Sequence, residues 1–221
     1  MMDRQSSGKI EGYLAMRIGA AIFLLIAACA TTGCMSQLKA NSPRPVDTSM
    51  DVFAQASVLQ HSLDKACMFV FSAPLEIAAD SPMVTSAYQA RLLQRSLFAR
   101  ISLIDTVVNS DAQALWYARK RGCSLAIVPS LLYLMDGSGG LPTRLIVRIR
   151  ILDAANGQVL WDIKQSAWSE PGPDIDLTWN TIVGAPAQRC HKLADCLAEK
   201  FAGYLAQHLE EEKKEQAGGQ Q

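Results

Sequence analysis

Apolar residues follow two different periods along this chain, and the switches between them outline its elements. Cys67-Met68-Phe69-Val70-Phe71 and Leu125-Ala126-Ile127-Val128 are unbroken apolar runs of strand length. Runs of that kind mark strands buried on both faces. Ser102 to Val107 reads as a further short strand, and Cys123 to Leu134 as the whole of the third. From Thr143 to Leu152 the pattern alternates, with Leu145, Val147, Ile149 and Ile151 set against Arg144, Arg148 and Arg150. That strand turns one face to the core and the other to water. Pro129 removes a ladder donor, so a bulge or the end of pairing is expected there.

Helical spacing appears between the strands and again at the end. Ser81-Pro82 offers an N-cap with proline in first helical position, and the helix should run to about Phe98. Asp111 is expected to cap a helix over Ala112 to Arg121, with Gly122 as its C-terminal glycine. Arg91 and Arg95 share one side of the first helix, a solvated face or a partner site. Arg119, Lys120 and Arg121 crowd the last turn of the second, where cations suit the helix dipole. Leu193, Leu197, Phe201, Tyr204, Leu205 and Leu209 recur at helical spacing, which predicts an amphipathic C-terminal helix. Residues 210–221 read as a disordered charged and Gly/Gln-rich tail.

Around Asn156-Gly157 the register can be argued. A two-residue turn would set Ile149 against Lys164 and Ile151 against Asp162. A three-residue loop of Ala155-Asn156-Gly157, with Gly157 left-handed, sets Ile149 against Ile163 and Ile151 against Trp161. Only the second keeps one face apolar, so it is the expected register.

The element order is strand, helix, strand, helix, three strands, helix. It predicts a three-layer α/β/α fold around a mixed five-stranded sheet of order 2-1-3-4-5, ending in an antiparallel hairpin and followed by the C-terminal helix. Cys67 and Cys123 then begin neighbouring central strands at the same end of the sheet and can be bridged. A Cys190–Cys196 bridge would tie the preceding loop to the last helix. Trp168 to Arg189 shows no clear period and reads as a long loop, a contact surface or a cap on the open end of the core, with Trp168 and Trp179 in it.

Ahead of the domain, Arg17 precedes a 13-residue charge-free apolar run, Ile18 to Ala30. A helix of that length falls short of a hydrocarbon core about 30 Å thick, and the order of basic, apolar and small residues is that of a secretion signal. Thr31-Thr32-Gly33-Cys34 resembles a lipobox, in which the cysteine receives diacylglycerol. Ile26-Ala27-Ala28-Cys29 is the alternative. Cys34 is preferred because translation from Met16 would then give an ordinary signal length, and because it leaves an even number of cysteines besides the lipidated one. Residues 1–33 are therefore read as a signal peptide, 34–50 as a flexible tether and 51–209 as a single domain.

Composition narrows the function. Lys+Arg and Asp+Glu balance at 21 each, so no basic excess points to nucleic acid. Besides the lipidated residue, Cys67, Cys123, Cys190 and Cys196 admit three pairings in an oxidising compartment. Neither a C-x2-C nor an H-x3-H spacing supports a zinc site, and Gly137 to Gly140 lack the G-x-G-x-x-G spacing of a phosphate loop. No cofactor is implied. Asp174 and Asp176 are paired acids, yet no base or nucleophile can be named beside them.

Arg121 to Pro129, and Arg144 to Leu160 with its Asp153-Ala154-Ala155-Asn156-Gly157 turn, resemble periplasmic lipoproteins of the TolB N-terminal/CsgG-like class. More narrowly they resemble a lipoprotein family within it defined by a domain of unknown function. The resemblance covers about Cys67 to Leu209 and implies a non-enzymatic accessory or assembly factor of the cell envelope. Such a factor would be anchored by lipid to the periplasmic face of the outer membrane and work through protein partners or as a homo-oligomer. The other expectation is a glycan- or small-ligand-binding module using Trp168, Trp179 and the Gly137–Gly140 loop.

Overall fold

The structure, a computed structural model, describes residues 44–137 and 140–218. Cys34, Cys29 and the signal segment lie outside the described residues. The larger of two compact units comprises Pro43–Pro171 and Pro186–Gln221; Gly172–Ala185 falls in the other.

The larger unit is built on a six-stranded mixed sheet. Its strands are β1 (Asp47–Ala54), β2 (Lys65–Val70), β3 (Arg100–Val107), β4 (Leu125–Met135), β5 (Thr143–Asp153) and β6 (Val159–Ser169). They stand in the order β1-β6-β5-β4-β2-β3. Pairings of β2 with β3 and β4 are parallel, and those along β4, β5, β6 and β1 are antiparallel. Count and order thus differ from the expected five strands, because β1 adds a sixth at the edge.

That strand lies partly in the expected tether. DTSMDVFA has a period of two, with Thr48, Met50 and Val52 on one side and Asp47, Ser49, Asp51 and Phe53 exposed on the other. Its inner face is only weakly apolar, which is why it reads as linker. The chain then forms a short helix, α1 (Val58–His61).

Helix α2 (Ser81–Arg95) follows a 3-10 turn over Leu75–Asp80, so Asp80 rather than Ser81 is the N-cap position. It stops three residues before the expected end, at Ser96, whose φ of 48° is left-handed. Helix α3 (Asp111–Lys120) is capped by Ser110, whose hydroxyl accepts from the Gln113 N–H, and not by Asp111. Gly122 takes φ 63° just past the end, the left-handed conformation that a helix C-terminal glycine adopts without penalty. Helix α4 runs from Cys190 to Gly218, well into the expected disordered tail. Pairs such as Gln207–Glu211, His208–Glu211 and Lys213–Glu210 stabilise its last turns.

Two cores sandwich the sheet. On one face Ala66, Met68, Leu125, Ile127, Val147, Ile149 and Ile163 meet Val84, Tyr88 and Leu92 of α2 and Leu193, Leu197 and Phe201 of α4. On the other, Cys67, Phe69, Ile104, Ala126 and Val128 meet Ala114 and Ala118 of α3. The hairpin register is the one that keeps a face apolar: Ile149 pairs with Ile163 and Ile151 with Trp161. Gly157 has φ 78° at the turn. Pro129 neither ends pairing nor carries the bulge, which falls between Leu131 and Tyr133. Its carbonyl accepts from the Ser72 N–H, so its ladder side faces β2 beyond Met68, where the β2–β4 ladder has stopped.

The smaller unit holds a two-stranded hairpin of β7 (Ile175–Leu177) and β8 (Asn180–Ile182). It occupies part of the stretch read as an irregular loop. The other end of that stretch is also ordered, since Trp168 lies within β6.

Candidate functional site

The cysteines divide cleanly. Cys67 and Cys123 form a disulfide with Cα atoms 5.7 Å apart, both buried beneath α3. Cys190 and Cys196 are free thiols, contrary to the expected bridge. Both fall within α4, where six residues advance about 9 Å and turn to a different face. Disulfides need Cα atoms within about 7 Å. Burial, reinforced by the charges of Asp136 and Asp80, pushes the Cys190 thiol up to about 11.

The expected contact residues are dispersed. Arg91 and Arg95 on α2 both turn to Glu199 of α4, Arg91 at 3.3 Å. They clasp the two helices on the surface. Arg119 donates to the carbonyls of Ala154 and Ala155 and so pins the β5–β6 turn to α3, which goes beyond helix capping. Trp179 is 82% exposed at the tip of the β7–β8 hairpin. The paired acids brace that same hairpin: Asp174 accepts from the Gly184 N–H and Asp176 from the Thr181 hydroxyl.

Polar groups in the core serve to join layers. The buried Tyr88 hydroxyl of α2 donates to Gln165 Oε1 of β6 at 2.7 Å, and Gln165 Nε2 donates to the Leu197 carbonyl of α4 at 3.1 Å. Burial holds the Tyr88 phenol far above its ordinary range, so it stays protonated. Among the described residues, no three His, Cys, Asp or Glu side chains are grouped to hold a metal ion.

Two further surface features lie at the strand ends and on the sheet itself. A crevice of about 320 Å³ opens where β2 and β3 end, between Ser72, Asn109, Ser130 and Arg150. The larger feature is the outer face of β4, β5, β6 and β1. Helix α3 is only ten residues long and packs on β2 and β4, leaving the antiparallel half of the sheet without a helix on this side among the described residues. Cross-strand rows there run Tyr133–Ile146–Ser166–Ser49 and Met135–Arg144–Trp168–Asp47. A third runs Ser130–Arg148–Lys164–Asp51. Arg148 makes a bidentate pair with Asp162 at 2.8 and 2.6 Å and lies 5.8 Å from the Phe53 ring. Hydrogen bonding to Arg148 holds the Asp162 carboxyl below its ordinary range. Arg150 reaches Asp111 at 2.6 Å.

Of this face, sequence reasoning picked out Trp168 and missed Tyr133 and Ile146. The arginines of β5 were visible as a wet face. That this face lacks a covering helix depends on the shortness of α3, which no strand pattern encodes.

No protein-family model and no curated protein sequence matches the chain. Solved structures do. The PelC dodecamer from Paraburkholderia phytofirmans superposes on 72% of this chain and 98% of its own, with a TM-score of 0.53 and 15% identity. The chain has the fold of PelC. The C-terminal domain of LpoB from Salmonella enterica matches 52% of this chain and 84% of its own at TM-score 0.35 and 13% identity. Lipoprotein GNA1162 from Neisseria meningitidis matches 47% and 78% at 0.34 and 12%. At those two scores the likeness supports no argument. Among the described residues no helix is long and apolar enough to cross a membrane.

Proposed function

We propose that this chain is an envelope lipoprotein, anchored through Cys34, or Cys29, to the periplasmic face of the outer membrane. It acts there by protein contact and self-association as an accessory or assembly factor, with no reaction of its own. The observation that carries this reading is the PelC fold, matched over 98% of a chain that forms a dodecamer. The lipobox-like Thr31-Thr32-Gly33-Cys34 and the Cys67–Cys123 disulfide support an oxidising, extracytoplasmic setting.

Metabolic labelling with a palmitate analogue tests the anchor. Label should enter the wild type and disappear from the Cys29→Ser/Cys34→Ser double variant. Retained label, or a wild type that fractionates with the cytosol, overturns the anchor and the location together. In-cell crosslinking followed by native electrophoresis tests the contact role, with a discrete multimer or complex expected. A strictly monomeric wild type without any crosslinked species refutes it.

A further inference from the structure

We infer that the outer face of β4, β5, β6 and β1 is the surface on which one copy of this chain docks against another. The inference rests on the self-association part of the proposed function and names the surface responsible. Sheets that face water on one side normally present polar residues there. This one instead carries Tyr133, 42% exposed, beside half-buried Ile146, Met135 and Trp168. Aromatic and Met side chains of this kind are enriched at interface centres.

The charges on the same face select the occupant. Strands β5 and β6 present Arg144, Arg148, Arg150 and Lys164, whereas the edge strand β1 presents Asp47 and Asp51. Arg148 and Arg150 are matched within the chain by Asp162 and Asp111. Arg144, Lys164, Asp47 and Asp51 have no ion-pair partner among the described residues. The face therefore has two cations at its middle and two anions along its edge outside any ion pair, with Lys164 and Asp51 opposite each other across the strands. A partner of one sign would satisfy one column and oppose the other. A second copy turned by half a rotation lays its acidic β1 over the basic column and receives the reverse contact. Such a patch is self-complementary, as an isologous interface requires.

Charge reversal tests this on the full chain extracted in mild detergent, with mass measured by light scattering after gel filtration. Arg144→Glu/Lys164→Glu turns the four charges outside the Arg148–Asp162 and Arg150–Asp111 pairs all acidic, and Asp47→Lys/Asp51→Lys turns them all basic. Each variant alone should lose the multimer that wild type forms, and an equimolar mixture should recover it. Recovery excludes misfolding as the cause of the loss. Tyr133→Ala/Trp168→Ala should lose it without recovery by either partner. If wild type assembles and the charge variants assemble equally well, the docking surface is elsewhere and this inference fails, while the self-association reading stands. A monomeric wild type overturns both.

Discussion

Replacing Cys67 and Cys123 together with alanine tests how the two halves of the parallel sheet are held. The bridge closes a loop with a sequence separation of 56 that contains α2, β3 and α3. Chain entropy for a loop of that length amounts to about 4 kcal/mol at room temperature. Alanine is the right replacement because both sites are buried, and a serine hydroxyl would be stranded there. For a protein of this size about 4 kcal/mol corresponds to a fall in Tm of roughly 8–16 °C.

Urea denaturation followed by circular dichroism separates two causes. If the bridge acts by restraining the unfolded chain, its loss lets that chain expand, and m rises as stability falls. If it acts by packing sulfur beneath α3, stability falls with m unchanged. Reductant should bring wild type to the level of the double variant and leave the variant itself unaltered. A loss under about 1 kcal/mol in both experiments would refute the entropic argument, because it would mean that the loop costs little to close.

Four further outcomes are expected. Asp162→Asn should flatten the acid limb of the stability curve. The carboxyl is held low by Arg148, so its contribution is present above the unfolded value near 3.8 and is lost as pH falls below it; an unchanged slope below pH 4 in acid titration would refute this. Gln165→Ala should cost about 2–3 kcal/mol by stranding the Tyr88 hydroxyl, whereas Tyr88→Phe/Gln165→Leu should cost less than that single change in thermal melts. Gly157→Ala should cost about 1–2 kcal/mol, since φ is 78° and the added Cβ would lie 3.1 Å from Leu115 Cδ1; denaturant midpoints would show it. Iodoacetamide at pH 8 should label Cys196 well before Cys190, whose thiol is buried and raised to about 11, and equal rates by mass spectrometry would contradict that order.

Much of the fold was legible because burial on both faces leaves an unmistakable run. Cys67 to Phe71 and Leu125 to Val128 are unbroken because every residue except the half-buried Val70 is in one core or the other. The β5–β6 register was legible for the converse reason, since one slip would bury Lys164 and Asp162 against isoleucines. What escaped lay where one side of an element is only weakly apolar. β1 turns Thr48 inward beside Met50, and the last turns of α4 have no apolar face at all. They persist through charge pairs between neighbouring turns and through contacts from elsewhere, such as the Ser57 hydroxyl to Glu212. The thiol pairing failed because it assumed a helix starting at Leu193. Starting at Cys190, the helix carries both sulfurs itself and sets them on different faces.

The surface left open follows from unequal helical cover. Helices of fifteen and 29 residues lie on one face of the sheet, and one of ten lies on the other. A ten-residue helix is about 15 Å long, and here it packs on β2 and β4. Beyond Leu152 at the end of β5, the antiparallel strands therefore bury little of their outer face within that layer. Nature has two solutions for such a face: make it fully polar, or cover it with another chain. Here one series of inner polar groups is already committed, with the Tyr88 hydroxyl, the Gln165 amide and the Leu197 carbonyl bonded across three elements. Arg148, Asp162, Arg150 and Asp111 likewise satisfy one another in pairs. Arg144, Lys164, Asp47 and Asp51 share this face with Tyr133 and Trp168, so charge and aromatic surface lie together where the helical layer stops.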